Sequence, residues 1–184
     1  MPPYKLISFT GVSGSGKSTI VHKLLEDSMF HIVTSTTTRT PRDSDIPHEY
    51  EYITPEEFEL YPGAFIWTTE YAGKKYGTRY RVVNDALERP EGNHSILILV
   101  PDVVPVLARY SGNRLLPLFV KTPSEDILRE RLTLRGDSEV SIDQRLHDLY
   151  AWERAALASD VLYQTITNEG TIEDAVGQVR KLLG

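Results

Sequence analysis

An eight-residue run rich in glycine lies between a short apolar segment and a segment with helical periodicity. Residues 11–18 read Gly-Val-Ser-Gly-Ser-Gly-Lys-Ser and match the pattern G-x-x-x-x-G-K-[ST] at every fixed position. The apolar run 6–9 is typical of a buried strand, and 19–26 repeat apolar residues at helical spacing. A strand, a glycine loop and a helix in this order favour an α/β fold with an anion site at the helix N-terminus.

Each residue type in this loop suits the binding of a polyphosphate. Glycines allow the backbone N–H groups to converge as an anion nest, and the following helix adds its own free N–H groups. Lys17 can reach the β- and γ-phosphates of a nucleotide, and the hydroxyl of Ser18 can ligate Mg²⁺. The pattern leaves open whether water, a protein or a small molecule accepts the phosphate. The predicted ATP-binding residues are Gly11, Ser13, Gly14, Ser15, Gly16, Lys17, Ser18 and Thr19.

Length and composition exclude several classes of protein. A chain of 184 residues fits one domain, and a net charge of −6 argues against a general nucleic-acid binder. Without cysteine there is no disulfide and no thiolate metal site, which fits a cytoplasmic protein. Residues 1–5 lack the apolar core of a signal peptide, and the longest apolar run, 96–101, is too short to span a bilayer. We therefore expect no nucleic-acid partner and no membrane association.

Strand and helix patterns alternate along most of the chain. Such alternation predicts a parallel sheet covered by helices on both faces, with the ligand beyond the carboxyl ends of the strands. Helix caps are predicted at 122–125, at Ser141 and at Thr171. The predicted strands are 5–10, 32–35, 95–100, 115–120 and 162–166, and the predicted helices are 17–26, 102–109, 124–134, 141–158 and 171–183.

Two stretches depart from this alternation within what we interpret as a single domain, 1–184. Residues 35–80 are rich in Thr, Tyr, Arg, Pro and Gly and are too long for a plain loop. We interpret them as a small α+β insertion over the open end of the sheet that binds the acceptor. The irregular patch 135–139 lies between two predicted helices, and we interpret 131–145 as a lid.

Arginines in both stretches point to a second phosphate site. Arg39 and Arg42 lie three apart among hydroxyl side chains, and guanidinium groups bind phosphate or carboxylate bidentately. Arg131 and Arg135 lie four apart on one helix face, and Arg145 follows the lid. Phosphoryl transfer needs positioning and positive charge around the transferred group, which Lys17, Mg²⁺ and these arginines would supply.

With these motifs the sequence resembles the guanylate kinase family over nearly its whole length. The resemblance is carried by 11–19, 35–42, 73–78 and 131–146. It implies a P-loop NTPase fold and the reaction ATP + GMP → ADP + GDP. By this resemblance, the residues that bind the acceptor phosphate are Arg39, Arg42, Tyr50 and Tyr76, and those that contact guanine are Ser35 and Thr78. The resemblance implies that the ATP phosphates are bound by Arg131, Arg135 and Arg145, and that Asn168 lies near the adenine. The catalytic residues would be Lys17, Arg39, Arg131, Arg135 and Arg145.

The chain departs from the family where the acceptor base would be read. The family's guanine-binding Glu corresponds to Trp67, and Glu70, three positions later, would serve only after a local shift. The family's Asp-x-Asp at the end of the central strand is reduced to Asp102, which follows a proline. Asp102 is predicted either to support Mg²⁺ together with Ser18 or to cap the next helix.

Three functions remain open at this stage. GMP or dGMP is the first candidate acceptor. The same chemistry on another nucleoside monophosphate or on a ribose bisphosphate is the second. The third is a non-catalytic module that binds phosphopeptides through the acceptor site.

Overall fold

The computed structural model describes residues 4–43, 45–121 and 124–184, and these contain two sheets and seven α-helices. The second sheet lies entirely within the predicted insertion. The elements in chain order are β1 (Leu6–Thr10), α1 (Lys17–Leu25), β2 (Phe30–Ile32), β3 (Ser35–Thr37), β4 (Tyr50–Tyr52), α2 (Pro55–Glu59), β5 (Phe65–Tyr71), β6 (Lys74–Arg79), α3 (Tyr80–Leu87), β7 (His94–Ile98), α4 (Val104–Ser111), β8 (Leu115–Lys121), α5 (Glu125–Leu134), α6 (Glu139–Ala158), β9 (Gln164–Thr167) and α7 (Ile172–Leu183).

The central sheet is parallel, with its five strands in the order β2-β7-β1-β8-β9. Helices cover both faces, as predicted, so its strands are apolar on both sides. One face packs against α1 and α7 around Phe9, Ile96 and Leu118, and the other packs against α3 and α4 around Leu97 and Leu107. The loop 11–16 leaves β1 at the carboxyl edge, where folds of this class bind ligands.

The insertion forms a four-stranded sheet in the order β4-β3-β6-β5. The predicted strand 32–35 is wrong, because the chain changes sheets there. The Val33 N–H donates to Ile96 O at 2.9 Å in the central sheet, whereas the Ser35 N–H donates to Glu49 O at 2.8 Å in the second sheet. The short helix α2 and the amphipathic helix α3, which buries Val83 and Leu87, were not predicted from the sequence.

The helix starts are set by side chains that cap free backbone N–H groups. Ser124, within the predicted cap segment 122–125, caps α5 by accepting from the Ile127 N–H at 3.2 Å, and the neighbouring positions 122 and 123 lie outside the described residues. Helix α6 begins earlier than predicted, because Ser138 rather than Ser141 is its cap. Residues Pro101–Val103 form one turn of 3₁₀ helix, so α4 begins at Val104 instead of 102.

The predicted lid has a small core of its own. Helices α5 and α6 bury Leu128, Leu132, Ile142 and Leu146, and Val12 of the glycine loop packs into this cluster. The turn between the two helices contains Gly136 with φ 86°. The glycine loop and the two helices therefore share one apolar cluster. Among the described residues, no helix combines the length and the apolar character that crossing a membrane requires.

Replacement of Thr171 by Ala should destabilise the protein by about 1 kcal/mol, because Thr171 caps the helix that covers one face of the core. Its hydroxyl accepts from the Asp174 N–H at 3.2 Å, and the Asp174 carboxylate accepts from the Thr171 N–H at 2.9 Å. Thr133→Ala, at an exposed helical site without a cap, should change stability by less than about 0.5 kcal/mol. Urea denaturation of both variants checks this, and equal losses would contradict it.

Candidate active site

The glycine loop adopts a backbone conformation in which any residue with a side chain would be strained. Gly11 has φ 147°, and a Cβ there would lie 2.5 Å from the carbonyl oxygen of Val120. Gly16 has φ 97°, and a Cβ there would collide with the amide of Asn168. Helix α1 begins directly after Gly16 without a side-chain cap. The N–H groups of its first turn thus remain available to an anion.

Lys17 folds back over the loop. Its ammonium group donates to the carbonyl oxygens of Gly11 and Val12, the latter at 2.8 Å. Loss of water around the ammonium lowers the pKa of Lys17 to about 7. Nearby Glu49 opposes this shift, whereas the positive charges of Arg135 and Arg145 add to it. The charged form of Lys17 is therefore less favourable here than in water, and a nearby phosphate group would favour it.

Two side chains brace the loop from beneath. The buried Asn168 donates from Nδ2 to the Ser15 carbonyl at 2.8 Å. Arg131 donates to the carbonyl oxygens of Gly14 at 3.4 Å and of Asn168 at 3.2 Å. Both residues hold backbone atoms here, so the structure gives them a positioning role that the sequence did not indicate.

The other two lid arginines share one carboxylate. Arg135 and Arg145 both form ion pairs with Asp137, and the Arg145 Nε lies 3.4 Å from that carboxylate. Arg135 also donates to the Ser13 hydroxyl of the glycine loop at 3.2 Å. Arg135 thus reaches the glycine loop, and Asp137 offsets part of the positive charge of the two arginines.

A second cationic cluster lies on the insertion. The buried Arg39 forms a bidentate ion pair with Asp45, with N–O distances of 2.8 and 3.0 Å, and its guanidinium lies 5.1 Å from the centre of the Tyr50 ring. Burial alone would raise the pKa of Asp45, but hydrogen bonds from Arg39 and Tyr52 lower it below its usual range. Arg42 is exposed and forms no ion pair within the described residues. Its guanidinium is therefore available to an anionic ligand.

Hydroxyl groups and a buried carboxylate complete this cluster. Ser35 and Thr78 share a buried hydrogen bond of 2.8 Å between their hydroxyl oxygens. Burial raises the pKa of the Tyr50 hydroxyl, and the adjacent Glu49 adds to that shift. Burial also raises the pKa of Glu49 itself, although the Ile46 N–H opposes the shift. The rings of Tyr50 and Tyr76 meet edge to face at 6.1 Å.

One cleft of about 770 Å³ connects the glycine loop to the insertion. Its walls include Lys17 and Ser18 on one side, Arg42 and Tyr76 on the other, and α6 across the opening. This volume is ample for a small-molecule ligand.

Comparison with known proteins agrees with this arrangement. A model of the family described as guanylate kinase matches residues 4–184. A guanylate kinase of Synechocystis sp. is 32% identical over 189 residues, covering 98% of this chain and 93% of that protein. A guanylate kinase of Bacteroides thetaiotaomicron is 40% identical over 148 residues, covering 75% of this chain and 69% of that protein.

The chain belongs to the guanylate kinase family. In fold, it is similar to a crystal structure of guanylate kinase from Anaplasma phagocytophilum, with a TM-score of 0.72 at 23% identity over 97% of this chain and 82% of that one. The predicted P-loop NTPase fold is thereby confirmed. The predicted arginines and tyrosines that line the one cleft with Lys17 and Ser18 are Arg39, Arg42, Tyr50, Tyr76, Arg135 and Arg145.

Glu70 does not take the base-reading place considered for it. Alternate residues of a strand face opposite sides, so Trp67, Thr69 and Tyr71 line the cleft while Glu70 points away. Glu70 lines a separate hollow of about 360 Å³ on the outer face of the hairpin, together with Lys75. A shift of one residue would be needed to turn it round, and the β5–β6 ladder fixes the register there.

Asp102 likewise does not line the cleft that contains Ser18. It is exposed in the 3₁₀ turn Pro101–Val103. Burial raises the pKa of Tyr163 to about 12 and the Asp102 charge adds to the shift, which places this carboxylate near Tyr163. The reason is Pro101, which carries the chain past the end of β7 before the acidic residue comes. The structure therefore does not support Asp102 as a metal residue.

Several residues of the cleft were missed in the sequence. Asp45 and Glu49 lie in the loop between β3 and β4, and Asp148 and Trp152 lie on α6. The spacing of Arg39 and Asp45 would have suggested an ion pair across a tight loop. No local pattern marks Asp148 or Trp152, because only the packing of α6 brings them to the cleft.

Binding of a polyphosphate at pH 8 should take up roughly one proton per chain, because phosphate charge raises the pKa of Lys17 from about 7. The contribution of Lys17 to affinity is then full below about pH 7 and falls as the pH rises above it. Titration calorimetry with Mg²⁺·ATP in buffers of different ionisation enthalpy measures the uptake. Lys17→Arg, which stays charged, should show none, and uptake unchanged in that variant would contradict the assignment.

Proposed function

We propose that this chain transfers the γ-phosphoryl group of ATP to the phosphate of GMP, giving ADP and GDP. The observation that carries the proposal is the single cleft in which the glycine loop faces the arginine and tyrosine cluster of the insertion. Two separate anion sites in one cleft are what transfer between two phosphates requires. Family membership supports the same reaction.

The donor phosphates would bind at the glycine loop. The uncapped N–H groups of α1 and the loop backbone bind the β-phosphate, and Lys17 exchanges its carbonyl partners for phosphate oxygens. Asn168 and Arg131 hold the loop in the required shape through its carbonyl oxygens. These two residues thus contribute to catalysis through positioning.

Magnesium would arrive with the nucleotide. Within the described ranges, no group of three or more His, Cys, Asp or Glu side chains could hold a metal ion. Mg²⁺ commonly uses one or two protein groups plus substrate phosphates and water, and the exposed hydroxyl of Ser18 on the loop meets that need. The ion would neutralise charge that develops on the phosphate oxygens.

The acceptor phosphate would bind at the insertion, as the resemblance implies for Arg39, Arg42, Tyr50 and Tyr76. Arg42 offers the uncommitted guanidinium. Arg39 keeps Asp45 as partner and presents its remaining edge above Tyr50. Ser35 and Thr78 would lie against the nucleoside, and we propose the insertion 35–80 as the acceptor subdomain.

Transfer would require the lid arginines to change partners. In the free protein Asp137 holds Arg135 and Arg145, so the carboxylate occupies the place that a phosphate would take between them. Phosphate oxygens bind guanidinium groups bidentately and carry more charge than one carboxylate. We propose that 131–145 act as the lid and that both arginines turn from Asp137 to the transferred group, excluding water from it.

One observation favours a second candidate, namely the same chemistry on another phosphorylated acceptor. Trp67, Ile98 and Val100 form an apolar wall where the family places carboxylates. A nucleotide with another base, or a ribose bisphosphate, would leave fewer donors unpaired against this wall. Nucleotide substrates and a cytoplasmic location remain part of the proposal in either case.

An ADP-release assay with Mg²⁺·ATP and GMP, dGMP, AMP, CMP, UMP or ribose bisphosphate tests the function. We expect turnover with GMP, and Lys17→Ala should lower kcat by about 100-fold or more, because the lysine stabilises charge in the transition state. Lys121→Ala, which removes an exposed lysine outside the cleft, is the control and should leave kcat unchanged. Turnover with ribose bisphosphate alone would favour the second candidate, and turnover with none of the acceptors would contradict both.

A further inference from the structure

Part of the cleft has an apolar floor. It consists of Trp67, which is 7% exposed, and of Ile98, Leu99 and Val100 at the end of β7. The turn Pro101–Val103, which follows β7, contacts both strand β5 and helix α6. Trp67 is the ladder partner of Thr78, whose hydroxyl binds Ser35, so this floor adjoins the proposed nucleoside contacts.

Three carboxylates line the cleft among the residues that the structure describes: Asp45, Glu49 and Asp148. Asp45 accepts hydrogen bonds from Arg39, from the Arg42 N–H and from the Tyr52 hydroxyl, so its oxygens are committed. Glu49 lies beside Tyr50, and its negative charge raises the pKa of Lys17, so Glu49 lies near the phosphate-binding residues of the cleft. Asp148 is the remaining carboxylate, and its hydrogen bonds come from the side chains of Tyr71 and Gln144.

Two uncharged side chains hold Asp148 beside Tyr71, the last residue of β5, where it lines the same cleft as the apolar floor. The Tyr71 hydroxyl donates to its Oδ2 at 3.3 Å, and Gln144 donates from Nε2 to its Oδ1 at 3.0 Å. Tyr71 shares the cleft-facing side of β5 with Trp67 and Thr69. Asp148 forms no ion pair within residues 4–43, 45–121 and 124–184. A carboxylate with two neutral partners keeps lone pairs for further donors.

We propose that Asp148 is the specificity residue that binds the N–H edge of the acceptor base. Guanine presents N1–H and its 2-amino group side by side, and one carboxylate can accept both. The proposal rests on the nucleotide kinase function, and it assigns base recognition to helix α6 instead of the floor. The floor then packs against the base, and Trp67 supplies the largest surface.

The placement of Asp148 also links base recognition to the lid. Asp148 and Arg145 lie three residues apart on α6, so their side chains share one face of the helix. A base bound at Asp148 would hold this face over the cleft and keep Arg145 near the phosphates. Acceptors that lack the N–H edge would then lose kcat as well as affinity.

The kcat/KM values for GMP and IMP test the proposal, because the two nucleotides differ only in the 2-amino group. The native chain should prefer GMP by about tenfold or more, which is the size expected for one hydrogen bond to a charged group. Asp148→Asn should reduce the preference to within about threefold, chiefly through loss of GMP turnover. Glu153→Gln removes the same charge from α6 outside the cleft and should keep the native preference.

Two results would overturn the proposal. Equal use of GMP and IMP by the native chain would show that no group accepts a hydrogen bond from the 2-amino group, as the proposal requires of Asp148. A preference that survives Asp148→Asn would show that another group reads it. In both cases GMP is still phosphorylated, so these results differ from failure of the proposed function, in which no acceptor is turned over. Thermal denaturation of both variants should match the native chain, since residue 148 is partly exposed.

Discussion

The shape of the glycine loop is the constraint on which the rest of the structure depends. Gly11 and Gly16 adopt positive φ angles, which glycine reaches without strain, and this lets the backbone N–H groups of the loop converge. Asn168 and Arg131 hold the carbonyl groups of Ser15 and Gly14, and Val12 packs among the helices of the lid. Strand β9 and helix α5 thereby serve the loop, although both are distant from it in sequence.

Carboxylates balance the arginines of the cleft in the free protein. Asp45 binds Arg39 and Asp137 binds Arg135 and Arg145, so these guanidinium groups are oriented before any phosphate is present. Burying a guanidinium group away from water is unfavourable unless a carboxylate or another acceptor pairs with it. The two carboxylates differ in how firmly they are held. Asp45 accepts further hydrogen bonds from the Arg42 N–H and the Tyr52 hydroxyl, whereas Asp137 lies in the turn between α5 and α6. The first pair is suited to a permanent framework and the second to exchange with a ligand.

The sequence was most informative where local physics determines the outcome. The glycine loop, the apolar strands and the caps at Ser124 and Thr171 depend on residues close in the chain, and the structure agrees with them. The exit of the chain from the central sheet at Val33 depends on distant hydrogen bonds, so the run 32–35 was misread as one strand.

The same distinction between local and distant contacts determines which site residues could be predicted. The phosphate-binding residues follow from motifs, and the structure brings Lys17, Arg42 and Arg145 to one cleft. The orientation of Glu70 depends on strand alternation and ladder register, and the displacement of Asp102 depends on Pro101. Asp148 reaches the cleft only through tertiary packing of α6 against β5. Such contacts link residues 77 positions apart, and no single-sequence pattern encodes them.

The central claim is that one cleft holds the donor and acceptor phosphates together, and a bisubstrate ligand tests it most directly. Adenosine and guanosine joined by five phosphates should bind one per chain, displace both ATP and GMP, and bind at least about 100-fold more tightly than either, because one association replaces two. Calorimetric displacement titrations measure this. A ligand that displaces only one nucleotide, or that binds no more tightly than ATP alone, would contradict the account.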